Sequence, residues 1–319
     1  MQYHHLFGPV CSRRLGRSLG IDLVPFKVCT FDCVYCECGA TTRKTLERQD
    51  FFPFEEAIAE LTDYLSAGPD LDFITFSGSG EPTLSLSIGR IIRFLKDRFP
   101  GYRVAVLTNG GLLHDPGVRA DLVGADMVLP TLSTAVPETF AKIHRPAQGQ
   151  DILEIIDGLS RFRQEFPGEI WLEVFIIPGL NTTDVELAAL RKAIQLIDPD
   201  RIQLNTLDRP GTEEWVNPAP PAELSRIARF LGLPGTEAVE SIHYGFSHAV
   251  PCGEIADHIL AVLRRRPCTL DDIAAATGFH RREIAKFLRE FEIEGRIISK
   301  REERGIFFSC RGQQEGTRE

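Results

Sequence analysis

Cys29, Cys33 and Cys36 stand as C-x₃-C-x₂-C within the run Lys27-Val-Cys-Thr-Phe-Asp-Cys-Val-Tyr-Cys-Glu. Three thiolates on one short loop suit an iron–sulfur cluster, because soft sulfur ligands match iron and a cubane needs ligands converging from one side. A cubane held wholly by protein takes four cysteines. Three at this spacing leave one iron open, which points to chemistry at the cluster. Zinc is the alternative for closely spaced cysteines, but a structural zinc site wants two C-x₂-C-like pairs or a fourth ligand. Cys38 follows Cys36 too closely to be read as that ligand, and is taken as a neighbour of the loop.

The elements that must carry this loop read as alternating strands and helices. Strands are expected at Ile21–Val24, Asp72–Phe76, Arg103–Leu107, Met127–Thr131, Trp171–Ile177 and Arg201–Asn205. Helical patterns fall between them, at Phe54–Ala67, Ser87–Phe99, Gly117–Leu122, Ile152–Phe166 and Val185–Ile197. Such alternation implies right-handed crossovers and a parallel sheet. Six units make an α/β fold, an open (β/α)₆ partial barrel of TIM-like logic, with its site at the C-terminal ends of the strands. The cysteine loop follows the first strand and lands on that rim.

The spacing and the aromatic before the third cysteine resemble the radical S-adenosylmethionine (SAM) superfamily. The resemblance implies one [4Fe–4S] cluster on Cys29, Cys33 and Cys36, with SAM chelating the fourth iron. It implies reductive cleavage of SAM to a 5′-deoxyadenosyl radical that abstracts hydrogen from a substrate. The loop Ser77-Gly-Ser-Gly-Glu-Pro-Thr83 resembles the Gly-Gly-Glu-Pro loop that holds the SAM amino group, with Ser79 inserted into the glycine pair. Gly78 and Gly80 allow close backbone approach, Glu81 supplies an acceptor for an ammonium group, and Pro82 completes the motif. Thr108-Asn109-Gly110 resembles the family's Thr-Asn-Gly loop, which makes Asn109 a SAM contact. By the same resemblance Ser133 is placed at the ribose, Ile176–Asn181 flanks the adenine, Asn205 is a polar contact and Tyr35 lies near the adenine. Radical abstraction needs no general base, and no catalytic side chain is assigned.

His144-Arg145-Pro146 and Asp208-Arg209-Pro210 follow the fourth and sixth strands, where arginine suits bidentate contact with carboxylate or phosphate. Each arginine meets the SAM carboxylate or an anionic substrate, or else staples a loop. The glycine- and arginine-rich segment 8–20 resembles a group of Fe–S oxidoreductases related to wyosine-type tRNA modification enzymes. On that reading Arg13, Arg14 and Arg17 face the cluster rim. The resemblance covers residues 1–210. Only Cys11 precedes the first motif, so the second cluster of the tRNA-wyosine enzymes cannot be built in the same way, and Cys252, Cys268 and Cys310 are read as single thiols.

The net charge of the 319-residue chain is −9, which argues against nucleic acid bound over the whole surface. Residues 254–312 carry 12 Lys and Arg against 10 Asp and Glu, whereas residues 1–253 carry 23 against 33. The boundaries are drawn at 1–232 for the partial barrel, 233–253 for a linker, 254–312 for a second module and 313–319 for a tail. Helices at Glu254–Arg266, Leu270–Ala276 and His280–Ile293, then a hairpin at Arg296–Lys300 and Gly305–Ser309, resemble a winged helix-turn-helix domain. His280, Arg281, Arg282, Lys286 and Arg289 on or near its recognition helix, the third of these, and Arg296, Lys300, Arg301 and Arg304 on its wing would meet nucleic acid through 270–309. Acidic residues, Glu290, Glu292 and Glu294 among them, share that region.

The expected protein is cytoplasmic, with no membrane span and no signal peptide. Its electron comes from a low-potential ferredoxin or flavodoxin, since clusters span about −700 to +450 mV and sulfonium cleavage needs the low end. Three functions stay open: a radical SAM enzyme acting on nucleic acid, probed first with RNA; one activating a protein in the glycyl-radical manner or modifying a small metabolite; and a redox-responsive DNA-binding regulator.

Overall fold

The computed structural model describes residues 3–12, 14–208, 211–239, 255–279, 281–302 and 304–311. Expectations placed on Arg13, Arg209, Pro210, Cys252, His280, the tail 313–319 and the side chains of Cys11 and Arg282 lie outside the described residues.

The chain opens with an antiparallel pair, β1 (Leu6–Ser12) and β2 (Gly16–Ile21). The small parallel pair β3 (Val28–Cys29) and β4 (Arg43–Lys44) brackets the cysteine loop. Then come α1 (Phe54–Ser66), β5 (Phe73–Phe76), a 3₁₀ turn at Pro82–Leu84, α2 (Ile88–Arg98), β6 (Arg103–Thr108), α3 (Pro116–Leu122) and β7 (Met127–Pro130). They are followed by α4 (Pro137–His144), α5 (Ile152–Glu165), β8 (Glu169–Phe175), α6 (Asp184–Ile197), β9 (Arg201–Asn205), α7 (Pro221–Leu231) and β10 (Thr236–Ala238). The sheet order is β1-β2-β5-β6-β7-β8-β9-β10, parallel from β2 onward. Six β/α units from β2 to α7 form the expected partial barrel, with β1 and β10 added at its edges.

Alternation along the strands sorts the core into two faces. Ile74, Phe76, Val104, Val106, Val128, Ile170 and Leu172 pack under the helices. Phe73, Ala105, Met127 and Leu129 point the other way, into the concavity, where Leu15 joins them. The helices follow from their sequences: Asp115, Asp151 and Thr183 cap α3, α5 and α6 by accepting from backbone N–H groups two or three residues on, which satisfies otherwise unpaired donors.

The structure departs from the sequence reading at the N-terminus. The first parallel strand is Gly16–Ile21, ahead of the expected Ile21–Val24, and segment 8–20 is a hairpin. Its turn lies at the N-terminal ends of the strands, away from the cysteine rim. Arg17 there pairs with Asp70 at 2.7 Å. Arg14 reaches into the concavity, where Nη1 meets Glu173 at 2.9 Å. The backbone of both lies at the end opposite the cluster rim, where the antiparallel pair turns; the Arg14 side chain extends up the barrel to the Glu173 carboxylate that Thr131 and Asn205 also bond. Leu15, 3 % exposed, closes that end of the barrel. Leu15→Ala is expected to cost about 3 kcal/mol through lost transfer energy and the cavity left behind. The check is a lower urea midpoint at unchanged slope.

The C-terminal part holds α8 (Ile255–Leu263), β11 (Cys268–Thr269), α9 (Leu270–Thr277), α10 (Arg281–Ile293), β12 (Ile297–Glu302) and β13 (Gly305–Cys310). Thr269 and Asp272 form a reciprocal capping box at α9, which satisfies two otherwise unpaired backbone N–H groups. The sheet β11-β13-β12 is antiparallel and closes a separate core of Ile259, Leu263, Ile273, Ile284, Leu288 and Phe291. Three helices and a hairpin wing make a winged helix. It packs through α8 and α9 onto β1. No helix among the described residues is long and apolar enough to cross a membrane.

Candidate functional site

The rim at the C-terminal strand ends is built by three loops that hold one another. Glu81 is 2 % exposed. Its Oε1 accepts from Thr83 N–H (3.1 Å), Thr83 Oγ1 (2.6 Å) and Thr108 Oγ1 (2.7 Å), and its Oε2 from Asn109 N–H (2.8 Å). The carboxylate therefore ties the glycine loop to the Thr-Asn-Gly loop, and burial raises its pKa against those donors. Oε2 keeps one acceptor position beyond Asn109. The Asn109 side chain donates to Thr30 Oγ1 at 2.8 Å and lies 3.5 Å from the Cys29 sulfur, which brings in the cysteine loop. Gly80 is required where the loops touch, since a Cβ there would sit 2.1 Å from the Val28 carbonyl oxygen. At Gly78 a Cβ would fall 2.3 Å from the Asp22 carboxyl carbon. Pro82 starts the 3₁₀ turn that Glu81 caps.

Each cysteine of the motif has its own polar neighbour. Asn109 stands at Cys29, His144 Nδ1 lies 3.3 Å from the Cys33 sulfur, and Lys27 Nζ donates to the Cys36 sulfur at 3.0 Å. Burial pushes the Cys29 thiol up to about 12 and raises the Cys33 thiol well above its ordinary value. Cys36 goes the other way, pulled down by a hydrogen bond from Cys38 and by the Lys27 charge. Burial disfavours the Lys27 ammonium, but the Cys36 and Cys38 sulfurs more than offset this and raise its pKa. Lys27 is 2 % exposed and adopts φ +56°, a left-handed conformation that costs a side-chain-bearing residue of order 1 kcal/mol. His144, buried among Phe31, Tyr35 and Phe140, is held neutral, its pKa pushed down to about 3 by burial.

The donor set fits an iron–sulfur cluster. Three soft sulfurs from one loop are each met by a group able to donate a hydrogen bond to them, which stabilises thiolate charge. Among the described residues no three His, Cys, Asp or Glu side chains close on a single metal ion. Cubane ligands bind separate irons and need no such common point.

The other residues expected from sequence distribute as follows. Tyr35 stacks on Phe175 (centroids 3.9 Å, planes 11° apart) and meets His144 edge-on. Ser133 is fully buried, and its carbonyl accepts from Asn181 Nδ2 at 2.8 Å. Asn181 also bonds the Phe175 carbonyl and the Ile177 N–H, so it closes the loop after β8. Asn205 donates to Glu173 Oε1 at 2.8 Å. Arg145 is a loop staple: its guanidinium reaches Glu213 at 2.6 Å and Asp32 at 3.9 Å.

Sequence reasoning missed Asp22, Lys27, Glu173 and His144. Glu173 gathers Arg14, Thr131 and Asn205 into a polar belt inside the barrel. Its signal was legible, as the one acid in the apolar run Trp171–Ile177. His144 carried no spacing signal, because folding alone brings it to the Cys33 sulfur, 111 residues away; Lys27 stands two residues before Cys29, and its nearness in sequence was the available signal. Cys38 lies 3.9 Å from the Gly78 carbonyl, beside both the cluster loop and the glycine loop.

Residues 23–191 match the model of the radical SAM superfamily, and residues 251–300 match that of the DprA winged helix domain. A UPF0026 protein of Synechocystis is 38% identical over 64% of this chain and 76% of its own length. A protein named GTPase Obg from Brachyspira hyodysenteriae is 32% identical over 92% of this chain, which spans only 43% of that protein. The crystal structure of a radical SAM methyltransferase from Sphaerobacter thermophilus superposes at TM-score 0.50 and 17% identity, covering 69% of this chain and 64% of that one.

Proposed function

Because the chain belongs to the radical SAM superfamily, whose cofactors are a [4Fe–4S] cluster and SAM, we propose that it is an enzyme that acts on RNA. When bound, those cofactors supply one-electron cleavage of SAM and hydrogen abstraction. The chain's own residues do the rest. Cys29, Cys33 and Cys36 hold the cluster, and Lys27, Asn109 and His144 donate to its sulfurs. Gly78, Gly80, Glu81 and Pro82 shape the loop for the SAM amino group, with Glu81 setting the loop and offering its remaining Oε2 position. Tyr35, Ser133 and Asn205 line the region where the rest of SAM would lie. The Tyr35–Phe175 stack and the walls of Val34, Ile143 and Ile177 exclude water from it.

The observation that carries this reading is the three-loop lock, in which Glu81 and Asn109 join the glycine loop to the cysteine loop. Lys27→Met is expected to lower the cluster's midpoint potential by roughly 60 mV, a factor of ten for one electron, because a buried cation stabilises the reduced, more negative cluster. Redox titration followed by electron paramagnetic resonance reads it. An unchanged potential would remove Lys27 from the list of tuning residues.

RNA is favoured by the winged helix seated at the barrel, with Lys286 and Arg289 on the exposed face of α10. We take the barrel as residues 1–232 and the winged helix as 254–312, place the protein in the cytoplasm, and assign a ferredoxin or flavodoxin as electron donor. A protein or small-metabolite substrate is the second reading. It is favoured by the wing cations, since Lys300 pairs with Glu214 at 3.7 Å, and Arg304 with Asp208 at 3.5 Å and Asp272 at 2.6 Å. The discriminating experiment is 5′-deoxyadenosine release with total RNA, with RNase-treated RNA, and with protein extract freed of RNA. Stimulation by intact RNA alone supports the first reading; stimulation by the RNA-free extract alone supports the second.

A further inference from the structure

In the glycine loop Ser79 stands between Gly78 and Gly80, and that residue is held by a side chain outside the motif. Asp22 follows β2 at the strand's C-terminal end. Its Oδ2 accepts from the Ser79 backbone N–H at 3.2 Å and from Ser79 Oγ at 3.3 Å. A third donor reaches the same oxygen from the winged helix: Arg265 Nη1, at 3.0 Å. Arg265 follows α8, and its guanidinium lies over the ring of Phe7 in β1, 3.6 Å from the centroid. The Phe7 ring in turn occupies the space a Cβ would take at Gly20. Both partners of the ion pair are mostly buried, at 22 % and 13 % side-chain exposure. A buried pair of this kind fixes geometry, because removing either partner leaves the other charged and unpaired.

We propose that Arg265 is a positioning residue through which the winged-helix domain sets the loop that receives the amino group of SAM. The chain of contacts runs Arg265, Asp22, Ser79, and it ends beside Gly78 and Gly80. Asp22 holds Ser79, and Arg265 keeps the Asp22 carboxylate charged and aimed at it. Without the guanidinium, the buried carboxylate protonates or turns toward water, and the Ser79 N–H and hydroxyl lose their acceptor. The loop then samples other conformations, and only a fraction of molecules presents the binding geometry, which weakens apparent affinity by that fraction. By linkage, bound SAM tightens the docking of the winged helix by the same factor. The appended domain is thereby part of the cofactor site.

This inference rests on the glycine loop binding SAM, as proposed above. The test uses the full chain, loaded anaerobically with its cluster, and compares wild type with Arg265→Ala, Arg265→Lys and Asp22→Asn. Equilibrium dialysis reads SAM affinity, iron content reads the cluster, and amide hydrogen exchange of residues 77–81 without SAM reads the loop. Arg265→Ala is expected to weaken SAM binding about ten-fold, within the range of ordinary couplings between sites, at unchanged iron content and with lost protection at 77–81. Arg265→Lys is expected to recover part of the affinity. Adding Arg265→Ala to Asp22→Asn is expected to cost little more, since both remove one interaction. Equal affinity and equal protection in wild type and Arg265→Ala would overturn the inference. Should that variant unfold, wild-type affinity in both Arg265→Lys and Asp22→Asn overturns it. A wild type that binds no SAM contradicts the function instead, and the exchange measurement still decides whether Arg265 sets the loop.

Discussion

Cys33→Ala is expected to abolish SAM cleavage while leaving the barrel folded. The three thiols come from one loop whose backbone is held independently of any metal, with Asp32 N–H donating to the His144 carbonyl and Val34 N–H to the Ile143 carbonyl. Cys33 is half-buried and packs at the margin of the barrel core, so its truncation removes one small contact there. With Cys29, Cys33 and Cys36 as the proposed ligands, removing one would leave only two sulfurs to hold the cluster. Turnover is expected to fall to background, a loss of at least about 10⁶-fold on the usual scale of enzymatic acceleration. Iron content should fall with it, and circular dichroism should keep the wild-type helical signal. A Cys33→Ala protein retaining full iron and cleaving SAM would take Cys33 out of the ligand set. The same substitution at Cys38 is expected to leave iron content unchanged.

The second large effect is expected at Glu81. Its carboxylate accepts from two backbone N–H groups and two hydroxyls in a site closed to water. Glu81→Ala leaves those donors buried and unpaired, at an expected cost of about 3 kcal/mol in stability. Asn109 would lose its anchor and Cys29 its donor, so activity is expected to drop by about 100-fold, as when the outer partners of a metal site are removed. Glu81→Gln separates the two effects. The amide keeps one acceptor oxygen but turns an NH₂ group toward either the Asn109 N–H or the threonine hydroxyls. Stability should therefore recover more than half, and activity less. A Glu81→Ala variant as stable and as active as wild type would mean that the loops are held together by something else.

The fold was legible where periodicity and loop chemistry agreed. Strands such as Asp72–Phe76 and Arg201–Asn205, each followed by polar rim residues, lie within a residue of the observed β5 and β9. The helix expected at Leu270–Ala276 is α9 to within a residue, because a Thr with Asp three residues on is a local start signal. The N-terminal hairpin was hidden. Its glycines and arginines read as a loop, yet Gly20 is needed for the Phe7 ring and Gly16 stands at the turn with φ +65°. The short helix α4 was missed as well, since Pro137 at its start reads as a break, although proline suits the first turn of a helix.

The candidate site divides the same way. Cysteine spacing and the glycine loop sit in contiguous residues, so the chain displays them. Asp22, His144 and Arg265 act across separations that only the fold closes; Arg265 lies 243 residues from its partner. Tyr35 shows the limit of a local motif: its position beside Cys36 is fixed by sequence, but its stack on Phe175 is a tertiary contact. Glu81 combines both. The motif identifies it, and the structure shows that most of its acceptor capacity is spent on joining loops.

The central claim is that this rim cleaves SAM by one-electron reduction. The most direct measurement is anaerobic: cluster-loaded full-length protein, SAM and dithionite, with 5′-deoxyadenosine quantified against time. Accumulation of 5′-deoxyadenosine together with methionine, dependent on both reductant and cluster, is the expected result. No 5′-deoxyadenosine from protein shown by iron analysis to hold an intact cluster, with or without RNA, would contradict it.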